Sequence, residues 1–231
     1  MTYSVIIEKS VFQRIFNASK ESFLLCDLPR NDKILRYDEN EIQNIRSDLN
    51  IPIDKKVILY TPTYREYLMT SSYGLYIAPP MTLSKWREQL GSQYVLLMRA
   101  HYAVTEALDI KEDDFIKDVS NYPSLNDLYV IADLMVSDYS STYFDYAILD
   151  RPMFCFAYDL EEYEEKRGLY LDLNTTLPCP VDKDEDTLLK HILEIDYDKA
   201  MSRTKQFHAR FSPYAGQASS IVVSEIIDRL E

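Results

Sequence analysis

Glycine is scarce in this 231-residue chain: Gly74, Gly91, Gly168 and Gly216 are all there is. No GxGxxG and no Walker-type loop can be assembled from them, so a dinucleotide fingerprint and a P-loop are both absent. Cysteine is nearly missing too. Cys26, Cys155 and Cys179 are odd in number and lack CxxC spacing, which argues against a disulfide framework or a zinc site and for a reducing compartment. No HExxH, no DxD pair flanked by apolar residues and no His/Cys cluster occurs, so no metal and no cofactor is expected. No apolar run reaches the roughly 18–20 residues that span a bilayer, and Met-Thr-Tyr-Ser-Val-Ile-Ile-Glu-Lys lacks the charged-then-apolar build of a signal peptide. Positive charge is short as well: 25 Lys and Arg face 38 Asp and Glu, a net charge of −13. Nucleic acid and anionic lipid are therefore excluded as partners of the whole surface, although a local basic pocket needs only a few cations.

Apolar residues are plentiful. At 46% they suffice for a sizeable core, and the length suits one large domain. Nineteen tyrosines read mainly as half-buried rings with a wet hydroxyl. Short, nearly uniform apolar runs predict strands at 23–26, 56–60, 94–98, from 115, at 134–137 and at 153–156. Helical spacing predicts helices at 9–20, 38–50, 84–90, 125–132, 142–149, 184–194, 197–211 and 218–230. Residues 28–32 read as a turn and 67–80 as a long loop. No internal repeat is present. Strands that alternate with helices and are apolar throughout predict an α/β fold, a Rossmann-like doubly wound parallel sheet covered on both faces. Ligands of such sheets bind beyond the carboxyl ends of the strands.

The polar residues of interest fall at those ends. The stretch Asp133-Leu-Met-Val-Ser-Asp-Tyr-Ser-Ser-Thr-Tyr-Phe-Asp145 runs from a strand through Ser137, Ser140, Ser141 and Thr142 into a helix. Hydroxyls and backbone N–H groups gathered there suit a phosphate or diphosphate, and an ordinary turn with Ser141 as N-cap suits the local pattern equally. His101 follows another strand, with Arg99 two residues before it. Alternation puts both on one side, a pair able to grip a diphosphate; the competing reading is a surface histidine beside a structural arginine. Arg65 ends a third strand and could bind phosphate bidentately or form a salt bridge. Ser120 lies at a fourth strand end, and Asp145 one helical turn past Ser141 either contacts a ribose, orients a neighbour or packs. His191, His208 among Arg203, Lys205 and Arg210, and the acidic run of Asp159 with 161–165 read as ordinary solvated groups.

Taken together, Thr61-Pro-Thr-Tyr-Arg65, Arg99-Ala-His101, Ser137-Asp-Tyr-Ser-Ser141 with Phe144-Asp-Tyr146, Arg151-Pro152, Ala157-Tyr-Asp-Leu-Glu-Glu-Tyr163 and Arg167-Gly-Leu-Tyr170 resemble the CDP-glycerol glycerophosphotransferase family, the teichoic-acid polymerases and primases. Pro29-Arg-Asn-Asp32 resembles the lead-in to that family's nucleotide-binding half. The resemblance runs from about residue 25 to the C-terminus. It implies the C-terminal domain of a GT-B-type transferase: residues 25–231 as a CDP-glycerol-binding Rossmann-like domain, with 1–24 a remnant of a linker or N-terminal domain. It implies transfer of glycerol phosphate from CDP-glycerol to an acceptor hydroxyl with release of CMP. His101 then maps to a histidine of the active cleft, and Ser140, Ser141 and Thr142 to the diphosphate-binding turn. Arg65, Arg99 and Ser120 carry over more loosely as substrate-binding residues.

Two departures stand out. Where the family has Leu-Pro-Gly-Pro, this chain has Leu177-Pro178-Cys179-Pro180. The family's N-terminal acceptor domain, with a second histidine and the membrane contact, has no counterpart in 1–24, so a missing domain or a partner chain is expected to complete the site. The expected partners are a nucleotide donor and a polyol-phosphate or lipid-linked acceptor. The expected location is the cytoplasm, peripheral at the inner face of the membrane in the complete protein. Three rivals remain open: a ribitol-phosphate or sugar-nucleotide transferase of the same architecture, a nucleotide-binding module inactive alone, and an interaction protein that binds no nucleotide.

Overall fold

The computed structural model describes residues 2–3, 13–17, 19–65, 67 and 78–230. Two strands of two residues, β1 (Thr2–Tyr3) and β2 (Leu24–Leu25), pair in parallel as a small ribbon of their own. The main sheet holds β3 (Lys56–Thr61), β4 (Tyr94–Met98), β5 (Ile116–Asp118), β6 (Leu134–Ser137), β7 (Met153–Phe156) and β8 (Val181–Asp182). Its order is β5-β4-β3-β6-β7-β8, and every pair is parallel. The doubly wound expectation holds.

Each central strand is buried on both sides because its side chains alternate between two cores. Ile58, Tyr60, Leu96, Met98, Leu134, Val136, Phe154 and Phe156 face one core, packed against α2 (Leu83–Leu90) and α8 (Glu185–Leu193) through Trp86, Leu90, Leu188, Leu189 and Ile192. Val57, Leu59, Val95, Leu97, Met135, Met153 and Cys155 face the other. There they meet α1 (Glu39–Asp48), α4 (Leu125–Ile131), α5 (Thr142–Tyr146) and α9 (Tyr197–Phe211). Helix starts are encoded locally: Asp38 and Glu41 form a capping box, and Ser124, Asp184 and Asp196 each accept the backbone N–H three residues on.

The remaining helices are α3 (Tyr102–Ala107), α6 (Leu160–Lys166), α7 (Leu173–Thr176) and α10 (Ala218–Asp228). The expected strands at 94–98, 134–137 and 153–156 and the helix at 197–211 match the observed bounds. The turn expected at 28–32 is instead a 3-10 helix, Pro29–Arg36, for which Pro29 presets the first turn. The 142–149 helix tightens to 3-10 geometry at Ala147–Leu149. α3, α6, α7 and the edge strand β8 were not expected; each is too short to show a period. Of the helix expected at 9–20, residues 13–16 are helical and 9–12 lie outside the described residues, as does most of the loop expected at 67–80.

The Pro29–Arg36 turn belts the ends of the chain together. The Asp32 carboxylate accepts the N–H groups of Ala218 (3.0 Å) and Ser219 (2.7 Å) at the start of α10, and Asp27 accepts from Tyr214 N–H (2.6 Å). Next to Asp32, Asn31 and Arg30 donate to Asp145 on α5 at 2.5 and 3.0 Å.

Candidate functional site

Strand order reverses between β3 and β6: β3 leads outward through β4 to β5, and the chain then returns to the other side of β3. That switch point opens a crevice beyond the strand ends. Its floor is hydroxyl-rich. Ser137 Oγ donates to the Thr61 carbonyl at 2.7 Å and lies 3.3 Å from Thr142 Oγ1, which is 3.5 Å from Thr61 Oγ1.

The turn from β6 into α5 stands over this floor. Ser141 occupies the N-cap position, but its hydroxyl does not cap the helix. Ser140 does so: its Oγ accepts the Thr142 N–H at 3.2 Å. Ser141 is exposed and Ser140 and Thr142 half-buried, so hydroxyls and backbone face outward together. Ser140 and Ser141, but not Thr142, line a cavity of about 340 Å³ that Arg167, Gly168, Leu169 and Tyr170 also line. This volume is in the range of small-ligand sites. Gly168 holds φ +73° where α6 ends, with open space where a side chain would point.

Beneath the turn lies the most constrained group of the molecule. Arg65 is 1% exposed. Its Nε and Nη2 donate to the two oxygens of Asp159 at 2.6 and 2.9 Å, its Nη2 lies 2.9 Å from Asp138 Oδ2, and its Nη1 donates to the Thr63 carbonyl at 2.7 Å. The rings of Tyr139, Tyr158 and Tyr163 surround the guanidinium at 5.0, 4.8 and 5.9 Å. Burial works to lower the Arg65 pKa, but the charges of Asp138 and Asp159 outweigh it and raise it further. Asp138 also accepts Thr63 N–H (3.0 Å), Thr63 Oγ1–H (2.6 Å) and Tyr139 N–H (2.6 Å). Asp159 accepts the hydroxyls of Tyr139 (2.8 Å) and Tyr67 (3.2 Å). Burial, then Asp159, pushes the Tyr139 phenol up. Of the two readings open for Arg65, the structure shows the salt bridge. The run containing Asp159 divides: Asp159 is buried against Arg65, while the glutamates after it are exposed.

The β4 side is different in character. Arg99 is tied down through one nitrogen of its guanidinium. Its Nη1 donates to the carbonyls of Val119 (2.8 Å), Ser120 (2.9 Å) and Tyr122, locking the end of β4 to the loop after β5. Ser120 Oγ accepts the Ala100 N–H at 3.2 Å, part of the same clamp. His101 is exposed and starts α3, its carbonyl accepting from Val104 N–H at 2.8 Å. Its ring lies against that of Tyr64 at a centroid distance of 4.1 Å, tilted by 31°. His101 is not among the residues lining the cavity at Ser140 and Ser141.

Other expectations resolve structurally. Asp145 is buried as the anchor of Arg30 and Asn31, turned toward the Pro29–Arg36 helix. His191 Nδ1 meets the Asp182 carboxylate at 2.9 Å, and His208 Nδ1 meets Asp150 at 3.0 Å. Arg151 donates to the carbonyls of Val130 and Ala132. Burial pushes the Cys155 thiol up to about 12, so it is an inert core group. Sequence reasoning missed the roles of Asp138, Tyr139 and Asp159; the available signal was that Asp138 directly follows an apolar strand and Asp159 lies three residues past the next one.

Sheet, switch point and hydroxyl-rich turn define the class: a Rossmann-like domain, the C-terminal domain type of a GT-B transferase. Residues 4–228 match the family described as CDP-glycerol:poly(glycerophosphate) glycerophosphotransferase, and the chain belongs to it. The teichoic acid glycerol-phosphate transferase of Staphylococcus aureus is 39% identical over 225 residues, covering 94% of this chain and 57% of that protein. The solved wall teichoic acid polymerase TagF superposes with a TM-score of 0.86 at 33% identity, over 100% of this chain and 59% of the polymerase. A histidine-to-asparagine variant of TagF soaked with CDPG superposes equally, with a TM-score of 0.86 at 33% identity over 100% of this chain and 58% of that one. The chain thus spans little more than half the length of these relatives. Among the described residues, no helix is long and apolar enough to cross a membrane.

Proposed function

We propose that residues 25–231 form the donor-binding domain of a transferase that moves glycerol phosphate from CDP-glycerol to an acceptor hydroxyl in teichoic acid synthesis. The observation that carries this reading is the hydroxyl-lined turn at the switch point, sharing a cavity of ligand size with Arg167–Tyr170, in a chain of this family. The diphosphate sits against the turn of Ser140, Ser141 and Thr142, with the Ser140 and Ser141 hydroxyls donating to its oxygens and Thr142 holding the turn from behind. The acceptor oxygen attacks the phosphorus bearing glycerol. A new P–O bond forms, the anhydride bond to CMP breaks, and CMP leaves with the bonding electron pair. The acceptor's proton passes to a base. His101 is an exposed titratable group at this end of the sheet and takes that proton or, protonated, neutralises the phosphate. Asp145 and Arg65 hold the frame rather than the ligand, because their polar atoms already serve protein partners, and Arg99 joins that frame through its Nη1. Ser120 closes the same frame from β5. The acceptor, the second half of the cleft and the inner-face membrane contact belong to a further domain or a partner chain, with residues 1–24 as the connection.

Calorimetry with CDP-glycerol, CDP-ribitol and a UDP-sugar tests the reading. CDP-glycerol binding that is lost in a Ser140→Ala/Ser141→Ala double variant is expected. Tighter binding of another donor moves the assignment to that polyol or sugar. Absence of binding to any cytidine nucleotide overturns it.

A further inference from the structure

We propose that Arg65 is a positioning residue: one buried guanidinium sets the diphosphate turn and the Tyr64–His101 ring pair in fixed relation to each other. The proposal rests on the donor-binding reading above and adds to it how the two halves of the site are aligned. Arg65 follows β3, Asp138 follows β6 and Asp159 lies just past β7, so the ion pairs bind three strand ends in one place. On one side, Asp138 accepts the N–H of Tyr139 and stands two residues before Ser140. Its position therefore fixes where the turn leaves the sheet. On the other side, Arg65 closes on the Thr63 carbonyl while Thr63 donates twice more to Asp138. Tyr64, held between these two pinned residues, projects its ring onto His101. The fork geometry matters, because a bidentate guanidinium fixes orientation as well as charge, which an ammonium does not.

A phosphate-gripping arginine and a positioning arginine respond oppositely to loss of Asp159. If Arg65 gripped phosphate, Asp159→Asn would release guanidinium donors and remove a competing negative charge, so CDP would bind more tightly. If Arg65 positions, the same change loosens the pin without adding a phosphate ligand. Three measurements decide. CDP affinity of the chain is read by calorimetry. The His101 imidazole proton resonances, displaced by the neighbouring Tyr64 ring, are read by NMR. CMP release is read in membranes from cells carrying the variant at the native locus.

For Asp159→Asn we expect CDP affinity within about threefold of the parent. The His101 resonances move toward their positions away from the Tyr64 ring, and kcat falls about tenfold or more with KM for CDP-glycerol little changed, since small misplacement of reacting groups costs rate before affinity. CDP binding tightened about fivefold, or unchanged His101 resonances and kcat in the folded variant, overturns the proposal. Should Asp159→Asn fail to fold, Tyr64→Leu, at a half-buried ring outside the ion pairs, carries the test. It is expected to lower kcat about tenfold at unchanged CDP affinity, and an unchanged kcat overturns the proposal. A parent chain that does not bind CDP overturns the donor-binding reading instead, before any variant is made.

Discussion

The two halves of the sheet's carboxyl end are built by opposite means. At β6 and β7 a guanidinium and two carboxylates are buried together, ringed by tyrosines, with nearly every polar atom paired. At β4 and β5 the arginine donates through Nη1 to backbone carbonyls, and the histidine beyond it stands in solvent against a tyrosine ring. Both halves contain an arginine at a strand end, yet only the environment tells what each does. Carboxylates within reach turn Arg65 into a buried pin, and carbonyls within reach turn Arg99 into a loop clamp. The locked half gives the turn into α5 a fixed origin, while the open half exposes an imidazole to solvent. In the sheet the two lie on opposite sides of β3.

Removing the pin should produce the largest effect. Arg65→Met leaves Asp138 and Asp159 facing each other in a dry place, and an uncompensated buried charge costs about 3–5 kcal/mol. Urea unfolding of parent and variant measures it, and a loss under about 1 kcal/mol would erase the contrast between the halves. The open half should behave in reverse. His101→Ala is expected to leave unfolding unchanged within about 0.5 kcal/mol, because the side chain is exposed. CMP release should fall about 100-fold or more while CDP-glycerol affinity holds. Full turnover in that variant would remove His101 from the reaction.

The belt beneath the locked half comes next. Asp32→Ala removes the acceptor of Ala218 and Ser219 N–H and should cost about 1–2 kcal/mol at neutral pH. Burial alone would raise the Asp32 pKa, but the hydrogen bonds from Ser219 and Ala218 and the nearby Arg36 charge outweigh it and hold the pKa low. A carboxyl lowered in the folded state stabilises above its unfolded value, about 3.9, and that share is lost as pH falls through the lower folded value. The gap between parent and Asp32→Ala should therefore narrow below about pH 4, read from urea midpoints across the range. Smallest of all is Lys183→Ala, which breaks an exposed pair with Glu161. No shift in the midpoint is expected, since solvent screens such pairs. Equal losses at Lys183 and Arg65 would show that burial is not what separates the two classes of ion pair.

Much of the fold was legible in the residues. Val57–Tyr60, Tyr94–Met98 and Leu134–Val136 are too apolar to sit anywhere but between two cores, so strands and parallel order followed from composition. The hydroxyl cluster after Val136 was equally plain, and its location at a strand end followed from the alternation of elements. The capping role of Ser140 in place of Ser141 was not legible, because either hydroxyl suits the spacing and only the backbone path selects one. Nor were the short elements α3, α7 and β8, which the surrounding packing stabilises rather than any period of their own.

What the sequence determined by itself is the class of fold, the family, and the set of strand ends at which chemistry could sit. Local propensity and hydrophobic pattern are properties of neighbours in the chain, and they suffice for that. Which polar groups face each other across the switch point was decided only by the tertiary structure. Arg65 and Asp159 lie 94 residues apart, and Asn31 and Asp145 lie 114 apart. No local signal carries such pairings, because they arise when the sheet closes and brings separate strand ends within hydrogen-bond distance. Whether a strand-end arginine meets a ligand, a carboxylate or a carbonyl is set at that step, since an unpaired buried charge is too costly to leave standing.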